Sequence, residues 1–274
     1  MIRYVYDFTD GGQAMANLLG GKGAHLAEMT RMCLPVPPGF TITTQACRSF
    51  LASGSEPEQL TAELSEHLAT LEEAMGRRLG DPNDPLLLSV RSGAQHSMPG
   101  MMETILDVGL NDTTVRGLAE VSGNADFAWD SYRRLLQMYG ATVLGVDPSL
   151  FASELARHPE APELPLVVEE FKEIIRTAEE EFPQDPATQL RRAVRAVFRS
   201  WNGERAKVYR RREHIAEDLG TAVTVQATVY GNLGPDSGTG VAFTHDPATG
   251  HEGVYGDYLP NAQGEDVVSG VRSA

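Results

Sequence analysis

Apolar and polar residues alternate at the start of the chain. Met1-Ile2-Arg3-Tyr4-Val5-Tyr6-Asp7-Phe8 has the two-residue period of an edge strand. A glycine turn, Gly20-Gly21-Lys22-Gly23, then leads into Ala24-His25-Leu26-Ala27-Glu28-Met29, which predicts a helix reaching about Met32. Pro35, Pro37 and Pro38 exclude a central strand before Phe40. Thr43 or Thr44 is placed to cap a helix through about Ala52. Leu60, Leu64, Leu68, Leu71 and Met75 fall on one stripe of a helix spanning 57–79, and Asp81-Pro82-Asn83-Asp84-Pro85 is expected to stop it. Leu86-Leu87-Leu88-Ser89-Val90 reads as a short buried strand, and Ile105-Leu106-Asp107-Val108 as another. From about 111 to 199 the texture is helical, with helices predicted at 125–143, 147–157, 165–181 and 187–200, separated by prolines. A helix at 201–219 and strands at 222–229, 238–244 and 252–255 follow. The pattern predicts an α/β (α+β) fold with a helical subdomain at 112–200.

A length of 274 residues is enough for a sizeable core without disulfide or metal staples. No apolar run approaches the roughly 18 residues that span a bilayer, and the first residues do not resemble a secretory leader, so a cytoplasmic protein is expected. Cys33 and Cys47 make neither a disulfide framework nor a metal signature, and their apolar neighbours predict two buried free thiols. A net charge of −15 disfavours nucleic-acid binding, even though a basic stretch runs through 191–212. Val271-Arg272-Ser273-Ala274 carries no helix cap or polar tail, which predicts a chain cut within a larger unit.

Against that acidic background one cation stands out. Lys22 is one of three lysines, with Lys172 and Lys207, in a chain whose other basic residues are arginines. Its flanking glycines let backbone approach a ligand, and a glycine-rich turn entering a helix suits anionic oxygens. An ammonium there is a point charge for phosphate; a solvated turn lysine is the competing reading. A second candidate is Ser89-Val90-Arg91-Ser92-Gly93-Ala94, followed by Ser97-Met98-Pro99-Gly100-Met101-Met102-Glu103-Thr104. Arg91 sits where the apolar strand is predicted to end, and its guanidinium can fork onto phosphate oxygens or pair with a carboxylate at a turn. Among the histidines, His25, His67, His158, His214 and His251 show no metal-ligand spacing.

Taken in order, these strings resemble the nucleotide-binding part of the pyruvate, phosphate dikinase family. Gly20-Gly21-Lys22-Gly23-Ala24 with Leu34-Pro35-Val36-Pro37-Pro38-Gly39-Phe40 resembles its opening. The stretch from Ser89 to Met102, Trp201-Asn202, Gly238-Thr239-Gly240-Val241-Ala242-Phe243-Thr244 and Asn261-Ala262-Gln263-Gly264-Glu265-Asp266 are similar to later segments. Ser97-Met98-Pro99-Gly100-Met101-Met102 separates this family from phosphoenolpyruvate synthases and rifampicin phosphotransferases.

The resemblance implies an ATP-grasp domain in which residues 1–111 and 201–243 form one subdomain and 244–274 begin a second lobe, with ATP between the lobes. It also implies transfer of phosphate from ATP, through a histidine on a swivelling domain, to inorganic phosphate and to pyruvate. Lys22 would hold ATP phosphates and Arg91 would stabilise charge on the transferred group; Gly100 and Thr104 would lie along the phosphates. Gln226 would lie near the adenine and Glu265 near the nucleotide. Magnesium is implied too, with ligands expected mostly beyond residue 274, as are the histidine domain and the pyruvate-binding domain. Residues 244–274, if incomplete as a lobe, would expose apolar strands and favour either association, as in a homodimer, or disorder.

Two departures stand out. Gln95-His96 replaces the family's usual arginine and small apolar residue, and His245-Asp246 its usual Arg-Asn. His96 and His245 are expected to be structural or polar residues, not phosphate carriers. A non-catalytic nucleotide- or partner-binding module of the same fold is the alternative from another functional class.

Overall fold

The computed structural model describes residues 2–98, 100–157 and 163–269, without the side chains of 265, 268 and 269. His158, Pro99 and 270–274 therefore lie outside the described residues, as does the side chain of Glu265. A five-stranded sheet has the order β1-β2-β7-β5-β6: β1 (Val5–Asp7), β2 (Gly39–Ile42), β7 (Ala222–Ala227), β5 (Leu88–Gly93) and β6 (Thr104–Val108). Every pairing in it is antiparallel, so helices and sheet combine in the α+β manner. Strand β1 is the edge that the alternation predicts. β7 is buried at every position and forms the middle of the sheet, as its unbroken Ala-Val-Thr-Val-Gln-Ala run requires. Two-residue strands β3 (Arg78–Leu79) and β4 (Pro85–Leu86) pair in parallel beside it.

Helix α1 (Ala16–Arg31) is two helical stretches, the helix expected after the glycine turn and a short one before it, joined across Gly20, which is non-helical with φ 67 and ψ 168. That backbone region is essentially glycine-only. A Cβ built on Gly20 would lie 1.6 Å from the Gly93 carbonyl oxygen. The glycine turn is thus a kink where α1 meets β5, and it leaves the Gly21 N–H to donate to the Ala94 carbonyl at 3.0 Å.

Thr43 caps α2 (Thr44–Ser53), its hydroxyl accepting from the Ala46 N–H. Helix α3 (Glu58–Met75) buries Leu60, Leu64 and Leu71. It stops at left-handed Gly76, not at the Asp-Pro cluster. The helical stretch contains α4 (Thr114–Ser122), α5 (Ala125–Thr142), α6 (Pro148–Leu155), α7 (Leu164–Thr177) and α8 (Pro186–Ser200). Its separation from the sheet is less than the composition suggests. One continuous core contains Leu88, Val90 and Ile105 of the sheet together with Leu135, Leu136 and Val194 of the helices. Helix α9 (Glu204–Arg212) ends earlier than expected. Its Arg210 is buried, with the guanidinium 4.1 Å over the Trp201 ring, which removes one cation from the apparent basic patch.

A separate hairpin, β8 (Gly238–His245) and β9 (Glu252–Pro260), is followed by α10 (Gly264–Ser269). Phe243, Val254, Tyr255 and Tyr258 are exposed on it. The described chain runs past residue 244 to residue 269. No helix of the described residues is long and apolar enough to cross a membrane.

The cysteines diverge from expectation. Cys47 is buried, whereas Cys33 is exposed in a left-handed turn (φ 58) at the end of α1. Burial pushes the Cys47 thiol up to about 11. The native protein should therefore lose one thiol rapidly to a thiol-specific disulfide reagent and the second only on unfolding. Cys33→Ser should abolish the fast phase, and a fast phase of two thiols would contradict the assignment.

Candidate functional site

Two cavities meet at Lys22. The larger, of about 1040 Å³, is lined in part by Lys22, Arg91, Thr104, Arg134, Gln263 and Asp266. The smaller, of about 620 Å³, is lined in part by Lys22, His25, His96, Gly100, Met102 and Thr104. Lys22 and Thr104 therefore belong to both walls. Sheet register explains the grouping. Arg91 pairs directly with Thr104 on one side and Thr224 on the other, so residues 13 and 133 positions apart in sequence become neighbours.

The kink at Gly20 turns the next residue, and Lys22 after it, toward β5. The Lys22 ammonium donates to the Ser92 carbonyl at 3.0 Å. Solvent reaches the side chain. Even so, desolvation and the nearby Arg91 guanidinium lower its pKa to about 8. A lysine held near its titration point beside a second cation is an arrangement that an incoming polyanion relieves.

Arg91 does not end its strand as expected. Strand β5 continues through Gly93, because Ser92 and Gly93 still pair with Val223 and Ala222. Its guanidinium donates from Nε and Nη2 to Ser89 Oγ, at 3.2 and 3.1 Å, and from Nη2 to Gln226 Oε1 at 3.3 Å.

Gln226 is 4% exposed and lines neither cavity; its amide donates to the Pro37 carbonyl at 2.9 Å. The structure thus places Lys22, Arg91, Gly100 and Thr104 around the two cavities and Gln226 beneath Arg91. Gly100 is exposed, with φ 69, in the loop whose Met98 is buried against Trp201 and Ala206.

His96 is exposed on the smaller cavity, and His245 lies on the hairpin with Nδ1 3.1 Å from Thr244 Oγ1.

Arg134 was not singled out from the sequence. Its Nε donates to Asp130 at 2.7 Å and its Nη1 to Asp266 at 3.3 Å, across the larger cavity. Burial works against its charge, but Asp130 and Asp266 outweigh it and hold the pKa above the usual value. The only sequence hint is Asp130 four residues ahead of Arg134, a common pairing on helix surfaces.

Magnesium has no evident cradle. Among the described residues no three His, Cys, Asp or Glu side chains converge. Asp266, the carboxylate on the larger cavity, is already engaged by Arg134 and by the Gln263 N–H. The described residues do not fit a magnesium centre.

Strand β5 and helices α1 and α5 bring Arg91, Lys22 and Arg134 to one cavity of an α+β domain. Comparison with known proteins specifies the class. The family model "Pyruvate phosphate dikinase, AMP/ATP-binding domain" matches residues 16–56 and 53–274, and the chain belongs to that family. It is 51% identical over 287 residues to the pyruvate, phosphate dikinase of Clostridium symbiosum, with 100% of this chain and 33% of the relative covered. Identity to the Rhizobium meliloti (strain 1021) enzyme is 50%, covering 100% and 32%. For pyruvate, phosphate dikinase 1, chloroplastic, of Zea mays it is 50%, covering 97% and 29%. The chain thus spans about one third of the length of these relatives.

Proposed function

We propose that this chain binds ATP in the larger cavity and serves as the nucleotide-binding part of a pyruvate, phosphate dikinase. The carrying observation is the convergence of Lys22, Arg91 and Arg134 on one cavity in a chain of net charge −15. Lys22 and Arg91 meet the phosphates, with Gly100 and Thr104 alongside. Leu106, Val229 and Val241 offer an apolar face to the base. Fixed cations around the phosphates stabilise charge on the transferred group without reorganisation during reaction. Arg134 joins them when phosphate oxygens compete with Asp266.

The proposed overall reaction converts ATP, phosphate and pyruvate into AMP, pyrophosphate and phosphoenolpyruvate, with a phosphohistidine on another domain as carrier. The histidine domain, the pyruvate-binding domain and any carboxylates for magnesium are partners of this site in that reading. Residues 1–111 with 201–243 are its first subdomain, residues 244–274 the incomplete start of its second lobe, and 112–200 its helical subdomain. A homodimer through the uncovered hairpin and a cytoplasmic location belong to the same proposal.

Proton linkage tests the phosphate site. With its pKa near 8, Lys22 is partly neutral at pH 8 to 9, and phosphate favours the ammonium. ATP binding there should take up part of a proton, and affinity should fall as pH rises above about 8. Calorimetric titration in two buffers of different ionisation heat measures the uptake. ATP binding without proton uptake, or no binding at all, would count against this placement.

A further inference from the structure

Gln226 and Ser89 are buried polar residues at the floor of the larger cavity: Ser89 is on its lining, and Gln226 lies beneath Arg91 without lining it. Ser89 is 1% exposed and Gln226 4%. They are directly opposed in the β5–β7 register, so their side chains share one face of the sheet. Arg91 lies two residues beyond Ser89, on that same face. All three side chains are joined. Ser89 Oγ accepts from Arg91 Nε and Nη2 and donates to the Gln226 carbonyl at 3.3 Å. Gln226 Oε1 accepts from Arg91 Nη2, while its Nε2 is anchored on the Pro37 carbonyl. The proline-rich segment before β2 thereby fixes which way the amide points, with oxygen toward the guanidinium.

We infer that Ser89 and Gln226 are positioning residues that clamp the Nε–Nη2 edge of Arg91, so that its charge is held at the cavity wall before phosphate arrives. The inference rests on the nucleotide reading above and assigns Gln226 a role through Arg91 instead of a contact with the base. A long arginine side chain loses considerable rotamer freedom when fixed, and prior fixation keeps that loss out of the binding step. The site consequently meets phosphate with its geometry already set.

A double-mutant cycle separates positioning from general support of the fold. Gln226→Leu should weaken ATP binding by roughly tenfold in the wild-type background. It should have little further effect in the Arg91→Ala background, where there is no guanidinium to position. Ser89→Ala should behave in the same way, and it serves as the cycle partner if Gln226→Leu does not fold. An unchanged affinity, or the same loss in both backgrounds, would overturn the inference.

A second readout needs no nucleotide. The Arg91 Nε–H resonance should shift and exchange faster with water in Gln226→Leu and in Ser89→Ala, and an unchanged signal in both would overturn the clamp. If the wild-type chain binds no ATP, the nucleotide reading fails on its own account. This signal then still decides whether the clamp exists.

Discussion

Gly20→Ala is expected to destabilise the chain by at least about 3 kcal/mol and to abolish nucleotide binding. Two costs combine. The backbone at φ 67 and ψ 168 is strained for any residue with a Cβ, and that Cβ would lie 1.6 Å from the Gly93 carbonyl oxygen. A carbonyl in a sheet cannot move aside as a flexible side chain can. Relief must come from separating α1 from β5. That movement carries Lys22 away from Ser92 and breaks the bond from the Gly21 N–H to Ala94. Urea unfolding followed by circular dichroism measures the first effect, and ATP titration the second. A variant with the wild-type midpoint would show that the close approach at Gly20 is not a constraint on this fold.

Lys22→Ala should weaken ATP binding by about tenfold to a hundredfold, the equivalent of one charge-assisted contact of roughly 1.5–3 kcal/mol. Its effect on folding should run in the opposite direction. The lysine's pKa of about 8 lies below the ordinary 10.5, so the folded chain disfavours the charged form. That penalty is fully present below about pH 8 and is relieved as pH rises from 8 towards 10.5. Removing the amine should therefore leave stability at pH 7 unchanged or slightly higher, with the difference vanishing near pH 10.5. Lys22→Arg should not restore full affinity, because a planar fork cannot reproduce a compact ammonium between Ser92 and Arg91. Parallel loss of stability and affinity in Lys22→Ala would instead indicate a structural lysine.

Much of this architecture is legible as pattern. Alternation at Tyr4, Val5 and Tyr6 marks the edge strand, the leucine spacing from Leu60 to Leu71 marks α3, and the cap of α2 is Thr43, one of the two threonines read for it. These signals work because period and capping are local. Errors arise where a distant contact decides. Cys33 looks buried by its neighbours, yet the left-handed turn at the end of α1 exposes it. The helix follows the glycine turn as read, but the helical stretch before Gly20 goes unread, because the close approach of Gly20 to Gly93 that joins the two is a tertiary contact. Strand β5 outlasts its apolar run because β7 continues to pair with Ser92 and Gly93. Arg134 and the pairing of Gln226 with Arg91 give almost no local signal. Their partners lie 132 and 135 positions away.

The sequence alone determined which residue types carry chemistry: a rare lysine between glycines, an arginine in an apolar strand, and an acidic chain around them. Periodicity and capping are encoded within a turn or two of backbone, so helices, strands and family resemblance could be read without coordinates. Tertiary structure decided the rest. It set the antiparallel register that places Arg91 beside Thr104, the contact that draws Lys22 onto Ser92, and the clamp that turns Gln226 away from the cavity. Each of these depends on which buried polar groups find partners across the sheet, and that pairing is settled only when the whole core closes.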